Sequence, residues 1–238
     1  MKMSNEKSSA WKSPTRSRSD MSTASGTRTF KVSVEGNIAS GKSTFLDYFN
    51  LSPDVEVRTE PVEKWRNLHG HNMLALLYKD PTRWALSLQT YVQLTMLQMH
   101  TKPHERPITI MERSIFSARH CFVENLYHSG KMPTPEYIVL DEWYQWLVAN
   151  TDVHVDLIVY LRTRPEVCLA RMYERDRKEE NKVPLAYLNG LHELHENWLV
   201  RQVTVKPPAP VLVLDANSNM SDMEHVMEEY REKIMGRS

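Results

Sequence analysis

The chain holds little sulfur that could staple it. Cys121 and Cys168 are the only cysteines in 238 residues, and no C-x-x-C spacing occurs. This excludes a disulfide scaffold and a cysteine zinc site and fits a reducing compartment. No apolar run approaches the roughly 18–20 residues that cross a bilayer, so no membrane partner is expected. Net charge is also absent, with 30 Lys and Arg against 30 Asp and Glu. That balance offers no electrostatic reason to expect a nucleic-acid polymer or an anionic membrane surface.

The balance is uneven along the chain. Residues 1–28 carry six basic and two acidic side chains, are rich in Ser and Thr, and lack the apolar stretch of a secretory signal. They read as a disordered tail or a targeting segment, with the cytosol or nucleus favoured and the mitochondrial matrix as the alternative address. Residues 29–238 have the length and apolar content of one globular domain.

Short apolar runs recur between helix-length segments: Thr29–Glu35, Val55–Thr59, Ile108–Glu112, Asp156–Arg162 and Val211–Asp215. Runs such as LIVYL and VLVL are apolar on both faces, as strands covered from both sides are. Helices are expected over Lys42–Phe49, Pro81–His100, Ile115–His128, Pro135–Asn150, Pro165–Arg177, Pro184–Arg201 and Ser221–Met235, four of them opening on proline, which the first helical turn tolerates best. The alternation predicts an α/β fold with a parallel sheet of about five strands flanked by helices. In such a sheet a ligand lies at the carboxyl ends of the strands.

The segments at those strand ends carry the chemistry. After the first strand comes EGNIASGKST, a G-x-x-x-x-G-K-[ST] phosphate loop running through Gly36, Asn37, Ile38, Ala39, Ser40, Gly41, Lys42, Ser43 and Thr44. Its backbone N–H groups and the helix N-terminus face an anion, Lys42 adds a full charge, and the Ser43 hydroxyl is placed to ligand Mg²⁺. After the second strand, EPVEKW puts the carboxylate of Glu60 where an attacking hydroxyl would lose its proton. The third ends in MERS, where Glu112 can hold Mg²⁺ or its waters and Arg113 can stabilise charge on a transferring group. Arg113 is also expected to keep Glu60 ionised. Asp215, after the last strand, is a weaker candidate for the metal. Beyond the fourth strand Arg171, Arg175 and Arg177 could close over a triphosphate as a lid.

From about Thr29 to Ala216 these elements, with LQTYVQLTML, FVENLYHSGKMP and VPLAYL, resemble the deoxyribonucleoside kinases, a family with a P-loop kinase fold. Features of both the insect multisubstrate and the animal mitochondrial branches are present. The resemblance implies ATP-dependent phosphorylation of a deoxyribonucleoside at its 5′-hydroxyl, in nucleotide salvage, with pyrimidines such as thymidine and deoxycytidine favoured. It assigns Glu60 as base with Arg113 beside it, Gln89 as reader of the nucleobase edge, and Trp65 and Phe122 as stacking aromatics. The sugar 3′-hydroxyl falls between Tyr78 and Glu180. The remaining acceptor walls fall on Ile38, Leu74, Leu77, Leu88, Val92, Met96 and Ala118. Leu88 and Leu77 stand where the insect type has Phe and Met. The resemblance also implies a homodimer and inhibition by the end-product deoxynucleoside triphosphate.

Two rival readings share the phosphate loop. A nucleoside monophosphate kinase would need extra arginines for its acceptor phosphate. A GTPase-type switch would need an N-K-x-D element, which Asn181-Lys182-Val183-Pro184 fails to supply. The spacing of His192 and His195 is not that of H-E-x-x-H, and their apolar neighbours make an ordinary amphipathic helix.

Overall fold

The structure is a computed structural model that describes residues 28–177, 179–180 and 183–237. Residues 1–27, on which the tail or targeting reading falls, and Asn181 and Lys182 of the failed guanine motif lie outside the described residues.

Five parallel strands, β1 (Phe30–Glu35), β2 (Val55–Arg58), β3 (Ile108–Glu112), β4 (Leu157–Arg162) and β5 (Val211–Asp215), form one sheet in the order β2-β3-β1-β4-β5. The expected strands are all present, trimmed by a residue where Thr29, Thr59 and Asp156 leave the ladder. Alternate side chains enter two separate cores. On one face Val32, Val34, Val159 and Leu161 pack with Phe45, Leu46 and Phe49 of α1 (Lys42–Asn50) and Met227 of α10 (Met220–Glu229). On the other, Met111, Ile158 and Tyr160 pack under a thicker layer of helices. This layer holds α4 (Pro81–Thr101), α7 (Thr134–Asn150), α8 (Pro165–Arg175) and α9 (Leu185–His195).

The helix starts obey local chemistry. Pro81, Pro135 and Pro165 occupy first-turn positions, and Asp80 caps α4 by accepting from Arg83 N at 3.2 Å. Several boundaries differ from the periodicity. Two short helices, α2 (Val62–Arg66) and α3 (Met73–Lys79), fill the stretch that the pattern leaves open between Glu60 and Pro81. The expected helix at Ile115–His128 is α5 (Ile115–Ser117), a π-helical segment Ala118–Val123 and α6 (Glu124–His128). A second π segment, Glu196–Val200, ends the helix begun by α9. The last expected helix divides at Tyr230 into α10 and α11 (Arg231–Ile234). α8 stops at Arg175 because Asp176 takes a left-handed conformation with φ 47°.

Strand β1 lies between β3 and β4, so the loop after it opens at the point where the chain reverses direction across the sheet. That reversal leaves a crevice beyond the strand ends.

Candidate active site

The phosphate loop departs from ordinary backbone where its sequence allows it. Gly36 has φ 146°, and a Cβ there would stand 2.7 Å from Ser40 Oγ and 2.8 Å from Leu161 O. Gly41, φ 98°, turns the chain into α1. Asn37 steadies the loop from α9, its Nδ2 donating to Leu188 O at 2.9 Å. Lys42 Nζ donates to Asn37 O at 2.7 Å, folded over its own loop. Burial, with the nearby Arg113 cation, pushes the Lys42 ammonium down to about 8. A buried cation with no carboxylate within 4 Å among the described residues is a site prepared for an anion.

Two carboxylates and a guanidinium from the ends of β2 and β3 meet beside this loop. Arg113 Nη1 donates to Gly36 O at 2.7 Å, and its Nε lies 3.1 Å from Glu60 Oε1 as an ion pair. Arg113 also lies over the Phe122 ring, 4.6 Å from its centre. It holds this position from a left-handed backbone, φ 63°. Glu112 Oε1 accepts from Ser43 Oγ at 3.2 Å and its Oε2 from Glu60 N at 3.3 Å. Burial raises the Glu60 carboxyl above its ordinary value; Arg113 opposes this and Glu112 adds to it. Arg113 favours the charged form of Glu60, but the loss of water outweighs it and the net shift is upward.

Adjoining this trio is a cleft. All the residues that the resemblance places in the acceptor pocket line it: Ile38, Glu60, Trp65, Leu74, Leu77, Tyr78, Leu88, Gln89, Val92, Met96, Arg113, Ala118, Phe122 and Glu180. Trp65 is fixed by its indole N–H, which donates to Thr95 Oγ1 at 2.9 Å. Gln89 is 4% exposed, and its Oε1 has no hydrogen-bond partner among the described residues. Such an orphaned acceptor in an otherwise apolar wall calls for a donor from a ligand. Tyr78 and Glu180 both face the cleft, and Glu180 is held by Arg175 and, at 3.5 Å, by Arg177.

Arg171 does not join those two arginines. Its Nη atoms donate to Ala216 O at 3.0 Å and Ser218 O at 2.8 Å, on the far flank of the phosphate loop. There it borders a second hollow with Ser40, Gly41 and Thr44. Asp215, the weaker metal candidate, instead accepts from Asn217 at 2.7 Å. Several cleft residues carry no role in the sequence reading. Tyr187 of α9 lines the cleft, as do Arg66 and Glu179, which pair at 3.2 Å. Tyr187 falls inside VPLAYL and Arg66 directly follows EPVEKW, so the motifs pointed to their neighbourhood without giving them a task.

His195 is fully buried, donates from Nδ1 to Leu191 O at 2.6 Å and is pushed down to about 3 by burial. No cluster of three His, Cys, Asp or Glu side chains suited to a metal occurs among the described residues.

The family model for deoxynucleoside kinase matches residues 32–236. The chain is 55% identical to mitochondrial thymidine kinase 2 of Homo sapiens over 204 residues, which are 86% of this chain and 77% of that protein. It is 37% identical to the Homo sapiens deoxycytidine kinase, over 92% of this chain and 96% of that one, and 38% identical to the Mus musculus deoxycytidine kinase, over 90% of this chain and 94% of that one. With a phosphate loop, a carboxylate–arginine pair and an apolar cleft meeting at the ends of a five-stranded parallel sheet, the chain belongs to the deoxynucleoside kinase family.

Proposed function

We propose that the chain transfers the terminal phosphoryl group of ATP to the 5′-hydroxyl of deoxyribonucleosides, thymidine and deoxycytidine among them. The observation that carries this reading is Glu60, held 3.1 Å from Arg113, where an apolar cleft with one orphaned amide acceptor meets the phosphate loop.

Glu60 accepts the proton of the 5′-hydroxyl as its oxygen bonds to phosphorus, and the bond to the leaving diphosphate breaks on the opposite side. A carboxyl whose pKa burial has raised is a stronger base once ionised, which suits it to that proton. Arg113, Lys42 and the pair Arg175 and Arg177 offset the charge spread over the transferring oxygens. Arg171 acts from the other flank, towards the donor nucleotide. Ser43 and Glu112 present hard oxygens at the edge of the phosphate loop, a donor set that fits Mg²⁺ completed by phosphate and water. Bound there, Mg²⁺ would supply charge neutralisation on the donor phosphates.

Gln89 offers donor and acceptor to the pairing edge of a base held between Trp65 and Phe122. Met96 and Ala118 leave that base without a charged partner. Tyr78 and Glu180 take the 3′-hydroxyl. A monophosphate kinase fits less well, since Arg66, the remaining cleft arginine that could meet an acceptor phosphate, is already paired with Glu63 and Glu179. Because cleft and phosphate loop adjoin, an end-product triphosphate can occupy both and inhibit.

The chain forms a homodimer through α4 and α7 in this reading. Val139, Trp143 and Trp146 lie one helical turn apart on α7 and are exposed, beside Leu86 of α4. No helix among the described residues is long and apolar enough to cross a membrane. The mitochondrial relative supports the matrix as the address of residues 1–28, and a fluorescent fusion of that segment tests it.

Assays of phosphoryl transfer from ATP to thymidine, deoxycytidine and thymidine monophosphate test the function. Transfer to the two nucleosides is expected; transfer only to the monophosphate overturns the reading.

A further inference from the structure

Glu35, the last residue of β1, is completely buried on the face covered by the thicker helical layer. Its Oε1 accepts from Ser114 Oγ at 2.5 Å, and its Oε2 has no hydrogen-bond partner among the described residues. No Lys, Arg or His among the described residues comes within 4 Å of it, although Arg113 and Lys42 are the nearby charges. A carboxyl sealed from water without a paired cation is costly to ionise. Burial accordingly raises the Glu35 carboxyl above its ordinary value.

The group it holds is significant for its position in the chain. Ser114 is the residue after Arg113 and caps α5, its Oγ accepting from Ser117 N at 3.3 Å. Arg113 has φ 63°, which a residue with a side chain keeps only if its surroundings enforce it. One side of the Arg113 turn is tied by its N–H donating to Val34 O at 2.9 Å. The other is tied by Ser114, through Glu35. Both ties run to the last two residues of β1, so the phosphate loop and the Arg113 turn are referenced to one strand end.

We propose that Glu35 is a positioning residue for phosphoryl transfer: it holds Ser114, and so keeps the left-handed Arg113 turn that sets the guanidinium against Glu60 and Gly36 O. This inference rests on the roles given above to Arg113 and Glu60.

The test compares Glu35→Gln, Glu35→Leu and Ser114→Ala with the parent. Turnover and a ¹³C NMR titration of the Glu60 carboxyl are both measured. The charged groups facing Glu60 are Arg113, Lys42, Glu112 and Glu35 itself, and those facing Glu35 are Arg113 and Lys42, with the Cys121 thiol nearby. Glu35→Gln keeps a neutral acceptor for Ser114. It is expected to stay within about threefold of parental kcat. Glu35→Leu and Ser114→Ala release the Arg113 turn. They are expected to lower kcat by about tenfold or more, with thymidine KM within about threefold, and to move the Glu60 titration upward as its cation withdraws. If Glu35→Gln lost as much turnover as Glu35→Leu, an acceptor for Ser114 would not be what Glu35 supplies, and the proposal would be overturned. Parental kcat and titration in Ser114→Ala would also overturn it, even if Glu35→Leu does not fold. The NMR titration reads the Arg113–Glu60 contact whether or not Glu60 is the base, while kcat of Glu60→Gln tests the base alone.

Discussion

At the scale of the residue, the balance of burial against charge decides what a side chain can do. Glu60 is raised because lost hydration outweighs the Arg113 cation 3.1 Å away. A base must be ionised, so kcat is expected to fall as the pH drops through that raised value, an acid limb above the ordinary carboxylate range. Glu60→Gln should bind thymidine with nearly parental Kd and lose at least about a hundredfold in kcat. Glu63→Gln should be mild, since Glu63 is exposed and, among the described residues, pairs only with Arg66 at 2.8 Å. Turnover of Glu60→Gln near the parental rate would remove Glu60 as the base. The cleft wall makes a second prediction at this scale. Met96 and Ala118 are 1% and 4% exposed and bring no charge to the base. Met96→Arg with Ala118→Asp is expected to depress thymidine use relative to deoxyguanosine by about tenfold or more, read as a ratio of kcat/KM.

Elements set where those residues stand. The phosphate loop is the least tolerant of them. Gly36→Ala would add a Cβ 2.7 Å from Ser40 Oγ and 2.8 Å from a backbone oxygen, at a φ that side chains avoid. We expect a loss of about 1–3 kcal/mol in urea unfolding and a loss of ATP binding measured by calorimetry. The π segment Ala118–Val123 has a comparable positioning effect. It carries both Ala118 and Phe122 to the cleft while Cys121 and Val123 stay in the core. Periodicity of 3.6 predicts a helix over this stretch but cannot reveal the extra residue per turn, because the wider turn is selected by packing. The short helices α2 and α3 were equally hidden. Each spans two turns or fewer, and its stability comes from the cleft it covers.

The molecule as a whole carries a pH response unrelated to its chemistry. Burial pushes His100 and His195 down to about 3 and His120 to about 4. Their folded values lie below the unfolded one near 6.5, so the unfolded chain takes up protons first as the pH falls. Their stabilisation is complete above about pH 6.5. It is lost below that at up to about 1.4 kcal/mol per pH unit for each, partly offset by the raised Glu35 and Glu60. Urea midpoints between pH 7 and pH 5 should fall, and His195→Gln should flatten that slope. Assembly belongs to the same scale. Trp143 and Trp146 are 48% and 55% exposed, and their rings stack 5.9 Å apart on one face of α7. Replacing both with Glu is expected to turn a dimer into a monomer in sedimentation, with the fold retained by circular dichroism. A parent chain that sediments as a monomer at assay concentration would overturn the assembly proposed here.

The acceptor residues were legible only through the family resemblance; by itself the sequence determined the five parallel strands and the phosphate loop. Those features depend on local chemistry: β-branched runs, glycines where φ must be positive, prolines at helix starts, and motifs whose residues are neighbours in the chain. Tertiary structure alone decided the ionisation of Glu60 and Glu35, because desolvation depends on what other elements cover them. It likewise separated Arg171 from Arg175 and Arg177. All three lie within seven positions, but Arg175 at the end of α8 and Arg177 beyond the left-handed Asp176 line the cleft, while Arg171, one turn earlier, is drawn to Ala216 and Ser218. Tyr187 reached the cleft the same way, carried by a helix whose place is set by packing against α6 and α8. Sequence spacing fixes neighbours along the chain; the electrostatics of a site depend on distances between elements, and only packing sets those.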